Sequence, residues 1–340
     1  MEQGRRLAEL TTLKLGGPAR YFESARDRTQ LVEALAWARA QGEAVHVLGG
    51  GSNLLVGDEG VSGLVLQVAT RGIALAVEGA HGVLTVQAGE VWDDVVSLAI
   101  DEGLAGIECL TGIPGSTGAT PIQNVGAYGQ EVAEVIDEVE VLERATGAVR
   151  WMRADECGFA YRDSRFKRSR DFVVLAVRLR LRRDGVPTLR YPELVRAVGD
   201  QASLHEVRSA VRALRASKGM LLEEGFVPSA GSFFTNPVLP RDQAERLPEM
   251  PRFDAGDAVK LSAAWLIEHA GFAKGTRRGD VGISDKHSLA LVNHGGTSAQ
   301  LLAFAQEIQA AVSATFGVRL EREPGGWAQN AESRHAPPRT

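Results

Sequence analysis

Apolar residues recur every three or four positions in several stretches of the chain, and those stretches predict its helices. The clearest covers residues 298–316, where Leu301, Leu302, Ala305, Ile308, Val312 and Phe316 form one stripe and Gly317 supplies the stop. A second stripe, Leu204, Val207, Val211 and Leu214, has Arg208, Arg212 and Arg215 on another face of the same helix, with Lys218 just beyond. Residues 91–102 carry Val95, Leu98, Ala99 and Glu102 at helical spacing before Gly103; residues 31–40 follow a cap at Asp27 or Thr29 and end at Gly42. Leu261, Ala264, Trp265 and Glu268 place a further helix at 261–269. Short β-branched runs predict strands at 45–48, 64–68, 83–87, 139–142 and 172–181, the first running straight into three glycines. Residues 111–129 and 225–237 are rich in glycine and small polar residues without periodicity. They read as long loops, which in compact domains are usually functional. The irregular alternation of strands and helices predicts α+β or mixed α/β, in preference to a doubly wound parallel sheet.

At roughly 150 residues per domain, 340 residues make two domains or three. The hydrophobic fraction of 44% and charged fraction of 24% are those of a globular protein with a sizeable core. A net charge of −5 makes general nucleic-acid binding a poor expectation. Cys109 and Cys157 are too few for a disulfide framework and lack metal-ligand spacing, so they read as ordinary thiols and no metal is expected. No apolar run has signal-peptide or membrane-span length, which predicts a soluble cytoplasmic protein. The chain turns polar between Arg182 and Pro192, a natural boundary, and polar again after Glu323, where a disordered tail is expected over 324–340.

Candidate chemistry begins at Leu48-Gly49-Gly50-Gly51-Ser52-Asn53-Leu54. Glycines after a strand let backbone N–H groups approach an anion, and Ser52 and Asn53 add donors; a plain tight turn is the alternative. The pattern is neither the dinucleotide fingerprint nor a P-loop. The second loop, 112–129, lets a ligand lie against the main chain, with Gln123 and Asn124 able to read a ring edge and Ile113, Ile122, Val125 and Tyr128 as anchors. Arg162, beside Tyr161, offers a fork for a carboxylate or else pairs with Asp163 or Glu156. Ser232 sits in a Gly-Ser-Phe-Phe turn with no base beside it in sequence, which leaves a turn residue or a proton donor. Glu323 ends a charged run that alone reads as solvated.

The two glycine loops together resemble the vanillyl-alcohol-oxidase or PCMH type of FAD-binding fold. Narrower motifs follow in order: Thr12-Leu13 with Leu15-Gly16-Gly17-Pro18-Ala19, Tyr161-Arg162-Asp163-Ser164, Gly231-Ser232-Phe233-Phe234 with Asn236-Pro237, and Lys286-His287-Ser288-Leu289. Over residues 10–323 this ordered set is similar to the UDP-N-acetylenolpyruvoylglucosamine reductase family, in its subtype with a looped tyrosine. The resemblance implies an α+β protein: a two-subdomain FAD-binding domain over 12–182 split near 68–72, a linker with the tyrosine loop and basic helix over 183–217, and a substrate domain over 218–323.

The resemblance also implies roles. Ser232 would be the proton donor, with Arg162 and Glu323 at the substrate's carboxylate; Glu323 is chosen over Glu321 by its spacing from Phe316-Gly317-Val318. Non-covalent FAD would be held by Gly49, Gly50, Gly51, Ser52, Asn53 and Leu54 on the pyrophosphate side. Gly112, Pro114, Gly115, Ser116, Gly118, Ala119, Asn124, Gly126, Ala127 and Tyr128 would hold it on the flavin side. Tyr161, Tyr191, Arg215, Lys218, Asn236 and His287 would contact the UDP-sugar, Tyr191 from a mobile flap. NADPH would deliver hydride by way of the flavin to the enolpyruvyl methylene carbon in peptidoglycan synthesis, within a cytoplasmic monomer. Many relatives continue with Val-Arg after the catalytic Glu, whereas this chain has Pro324-Gly325. Two other readings stay open here: an alcohol or hydroxy-acid oxidase of the same fold, and a nucleotide-sugar-binding protein without activity.

Overall fold

The computed structural model describes residues 1–327. The first layer is a four-stranded sheet in the order Glu2–Arg6, Pro18–Ala25, Val61–Val68, Val45–Leu48, with the last three strands parallel. Helix Arg28–Gln41 packs on it through Leu31, Ala34 and Ala38. Asp27 caps its first turn, accepting from the Gln30 N–H, and Gly42 ends it in the left-handed region. The second layer is an antiparallel five-stranded sheet in the order Val149–Arg153, Ile136–Glu143, Phe172–Arg182, His81–Gln87, Ile73–Glu78. Helix Trp92–Asp101 buries Trp92, Val95 and Ala99 in the core shared by both sheets, with Leu64, Leu84 and Val177 opposite. Alternation explains this sheet: Val173, Leu175, Val177, Leu179 and Leu181 turn one face of a long strand inward.

A separate core serves the C-terminal part. Helix Ser298–Phe316 lays Leu301, Phe304, Ala305, Ile308 and Val312 against helix Ala263–His269 and the short strands Val281–Ile283 and Leu291–Asn293. Helices Pro192–Val198 and Leu204–Ser217 join the parts through a small cluster of Leu194, Val207, Val211 and Cys109. The α+β expectation is met.

Three expectations about elements need correction. Leu261 does not open a helix. It ends strand Ala258–Leu261, its N–H donates to the Pro237 carbonyl at 2.8 Å, and Ser262 caps the helix that follows. The loop 111–129 contains a 3₁₀ turn at Thr117–Ala119 and a helical turn at Thr120–Gln123 with proline at its start. Residues 324–327 are not a disordered tail. Gly325–Trp327 forms a parallel pair with Leu54–Val56, fastened by Gly325 N–H to the Asn53 carbonyl (3.0 Å) and Gly57 N–H to the Trp327 carbonyl (2.7 Å). Residues 328–340 of the expected tail lie outside the described residues. No helix among the described residues is long and apolar enough to cross a membrane.

Candidate active site

The glycine loop at 49–51 leaves strand Val45–Leu48 and runs against loop 114–118 so closely that side chains are excluded. A Cβ on Gly51, whose φ is +64°, would sit 1.9 Å from the Leu10 carbonyl oxygen. One on Gly50 would meet Gly115 Cα at 2.7 Å, and one on Gly49 would meet Ser116 Oγ at 2.5 Å. The Ser52 hydroxyl donates to the Pro114 carbonyl at 2.8 Å and ties the loops together. Helix Trp92–Asp101 secures the second loop: Trp92 N–H donates to the Gly115 carbonyl, and Asp93 accepts from Gly112 N–H and the Thr111 hydroxyl.

Two cavities meet along these loops, sharing Ser116 and Ala119. The larger, about 320 Å³, is walled by Ser52, Asn53, Pro114, Gln123, Gly126, Ala127 and Tyr128 on one side. Arg162, Tyr191, Arg215, Lys218, Ser232, His287 and Glu323 line the other. The smaller, about 200 Å³, opens on Gly49 and Gly118.

Backbone strain concentrates at the larger cleft. Among the described residues only four non-glycines have positive φ, and Asn124, Tyr128 and Arg162 are three of them. Arg162 donates to the Gly126 carbonyl, and its own carbonyl accepts from Lys167 Nζ at 2.8 Å. Its guanidinium lies 3.6 Å from both Glu131 and Glu323 and packs over the Tyr161 ring. Neither partner weighed from sequence takes it, since Asp163 pairs with Arg168 and Glu156 with Arg150. Glu323 accepts from Gln123 Nε2 at 3.1 Å. Burial pushes its carboxyl above the ordinary range, against the pull of Arg162, Gln123 and Lys167.

Phe233 and Phe234, buried and edge-to-face, anchor the Ser232 turn in the C-terminal core. The Glu323 N–H donates to the Phe233 carbonyl at 2.9 Å, which sets the carboxylate strand beside the serine turn. Arg215 is buried and donates to the Gly112 and Met220 carbonyls, whereas Arg212 bridges Asp93 and Glu223 and Arg208 binds Ser97. Lys218 lies over the Tyr128 ring and 3.2 Å from Glu193. Tyr191 stands edge-on to Tyr128, with centroids 5.5 Å apart. Its segment is anchored at Thr188, whose N–H donates to the buried Glu108 carboxylate at 2.7 Å. His287 Nδ1 accepts from Leu289 N–H at 3.0 Å, so the neutral ring carries its proton on Nε2. Burial and the nearby Lys218 and Lys274 press its pKa down to about 4.

Residues 222–327 match the family model of the UDP-N-acetylenolpyruvoylglucosamine reductase C-terminal domain, and residues 19–153 match an FAD-binding domain. The UDP-N-acetylenolpyruvoylglucosamine reductase of Nocardia farcinica is 49% identical over 339 residues, covering 94% of this chain and 87% of that one. That of Thermobifida fusca is 48% identical, covering 94% and 95%. The chain belongs to the UDP-N-acetylenolpyruvoylglucosamine reductase family. The crystal structure of the Thermus caldophilus reductase covers 96% of this chain and 98% of its own, at 28% identity and a TM-score of 0.68.

The cradle fits the FAD of the family's N-terminal domain. Gly50 and Gly51 admit no side chain, and the paired cavities give a long dinucleotide two chambers along the loops. Cys109 is buried with its thiol pushed up by burial and Glu108, which leaves no reactive thiolate beside the cradle. Most of the expected family residues gather here, but not all line the cleft. Asn236 Oδ1 accepts from Ala263 N–H at 2.9 Å and caps a helix. Tyr161 packs behind Arg162, with Lys260 over the same ring. Asn124 ties Glu131, Ala160 and Ala133 together under its loop, and Leu54 is buried in its strand. Sequence reasoning gave no role to Lys167, Asp93 or Trp327, and it saw Gln123 only as a ring reader. The one available signal was Lys167, three residues after Ser164 on the helical turn that follows Arg162.

Proposed function

We propose that this chain reduces the enolpyruvyl group of UDP-N-acetylglucosamine enolpyruvate to the lactyl ether of UDP-N-acetylmuramate, for peptidoglycan synthesis, with NADPH as the hydride source and non-covalent FAD. The observation that carries the reading is the convergence of Ser232, the Arg162–Glu323 pair and the cations Arg215 and Lys218 on one cleft beside the glycine cradle. Bound FAD supplies hydride relay chemistry that no side chain provides.

An enol ether is electron-rich and resists hydride unless its carboxylate draws off charge. The Arg162 fork suits that carboxylate, and its strained backbone, held by Lys167, fixes its position. Glu323, pushed toward its protonated form by burial, shares a proton with the carboxylate as negative charge builds. Once the methylene carbon has accepted hydride, the neighbouring carbon holds an electron pair. The Ser232 hydroxyl protonates that carbon, and water returns a proton to the serine. The double bond thus gains one hydride and one proton, and NADPH leaves as NADP⁺. Arg215 and Lys218 offer fixed charge to the diphosphate, Tyr191 covers the nucleotide, and the Nε2–H of His287 donates into the cleft. The nicotinamide uses the same cleft before the sugar enters, in keeping with a chain that has no dinucleotide fingerprint. The proposed assembly is a monomer, and the proposed setting is the cytoplasm.

The direct test mixes protein, NADPH and the enolpyruvyl sugar. NADPH loss by absorbance and lactyl ether formation by mass spectrometry should match mole for mole. NADPH loss with the sugar unchanged would overturn the reading.

A further inference from the structure

The strand after Glu323 ends on a large aromatic with no part in the reaction above. Gly325 and Gly326 present no side chain, and an added Cβ would find only ordinary contact or open space. The substantial side chain of this strand is Trp327, which is set opposite Val56 and held by the hydrogen bond from Gly57 N–H to its carbonyl. Its ring lies 5.2 Å from that of His46, tilted by 52°. Both rings line the smaller cavity, with Phe166 and Phe172 among its other walls.

The two cavities are not equivalent. Arg162, Ser232 and Glu323 line the larger, so the reactive ring of a flavin dinucleotide must lie there. The glycine loop between them suits the diphosphate. What remains for the smaller cavity is the adenosine end, and an aromatic wall suits a planar base. We infer that Trp327, carried by the strand that follows the catalytic carboxylate, forms a wall of the adenine chamber with His46 and holds FAD by its adenosine half. This rests on the FAD reading above. It also gives the C-terminal strand a second task, because the segment that positions Glu323 then closes the cofactor's far end. Burial, Arg170 and Arg144 hold His46 below its usual pKa, against a backbone hydrogen bond at Ser62, which favours the neutral form of the ring tilted against the indole.

The test measures selectivity, because FMN lacks the adenosine half. Holoprotein is equilibrated with a mixture of FAD and FMN, and bound flavin is separated and quantified. Stacking of one base on one aromatic makes Trp327→Ala lower the FAD-over-FMN ratio by roughly 5- to 100-fold. Trp327→Phe keeps the ratio within about 5-fold of wild type, and Trp327→Leu, which keeps bulk without an aromatic face, falls between the two. A purely structural strand would weaken both flavins together and leave the ratio unchanged, and that result overturns the inference. Should Trp327→Ala fail to fold, an unchanged ratio in Trp327→Leu overturns it equally. Wild-type protein that binds no flavin would overturn the FAD reading itself, a distinct outcome.

Discussion

His287→Gln tests the electrostatics of the cleft with a magnitude that follows from its geometry. The ring is largely buried, with Nδ1 fixed as an acceptor by Leu289 N–H and two lysines nearby, so the imidazolium is disfavoured. Its pKa falls from 6.5 to about 4. A folded-state pKa below the unfolded one means that the unfolded chain binds the extra proton first. Stability attributable to this residue is therefore intact above about pH 7.5 and declines as pH falls through 6.5. Linkage over these values gives a loss of about 2 kcal/mol between pH 7.5 and pH 5, complete only below about pH 4. Glutamine keeps a polar side chain without the titration. The assay is denaturant unfolding of the substrate-free holoprotein at both pH values, wild type against variant. Wild type should lose about 2 kcal/mol more than His287→Gln on acidification. The ring's own titration, followed by NMR on labelled histidine, should centre near 4. Parallel losses in the two proteins, or a ring titrating near 6.5, would refute the reasoning.

Ser232→Ala should leave NADPH-driven bleaching of the flavin near wild type and slow the sugar-dependent step by at least about 10²-fold. Stopped-flow on the separate steps checks this, and equal slowing of both would make Ser232 a shaping residue. Tyr191→Ala should raise the KM for the UDP-sugar by about 5- to 30-fold, because it removes from the cleft wall the aromatic ring proposed to cover the nucleotide. Flavin bleaching by NADPH should stay unchanged, and an unmoved KM would assign Tyr191 to packing. Gly51→Ala places a Cβ 1.9 Å from a backbone oxygen at a φ of +64°, so it should yield protein depleted of flavin. Full FAD occupancy in that variant would contradict the close meeting of the loops.

Local signals made much of the framework readable. Helix 298–316 was visible because its stripe and the stop at Gly317 agree, and the structure adds a Thr297–Gln300 capping box at its start. The glycine triplet alone read equally as a plain tight turn, and the cradle became visible only when it was taken together with the second glycine-rich loop at 112–129. Elements stabilised by long-range pairing left no such trace. Strand Glu2–Arg6 is almost wholly polar and exposed along its length, and its order comes from pairing with Pro18–Ala25. Gly325–Trp327 likewise owes its order to Leu54–Val56. The site shows the same division. Ser232 and Glu323 carry no mutual signal in sequence; one backbone hydrogen bond between Phe233 and Glu323 makes them neighbours. Gln123 was unreadable as a support because its partner Glu323 is set by the folded chain, and the place of Lys167 on the turn after Arg162 did not by itself reveal its bond to the Arg162 carbonyl. Leu261 misled because an apolar residue at a helical offset fits the end of a strand equally well.

The central claim is that this cleft passes hydride from NADPH to an enolpyruvyl carbon, and one anaerobic experiment tests it most directly. NADPH should bleach the visible flavin bands of the purified protein. Addition of UDP-N-acetylglucosamine enolpyruvate should then restore them, with one equivalent of UDP-N-acetylmuramate formed per flavin. Bands that stay bleached with the sugar and return only on admitting oxygen would contradict the claim and place the chain with the oxidases.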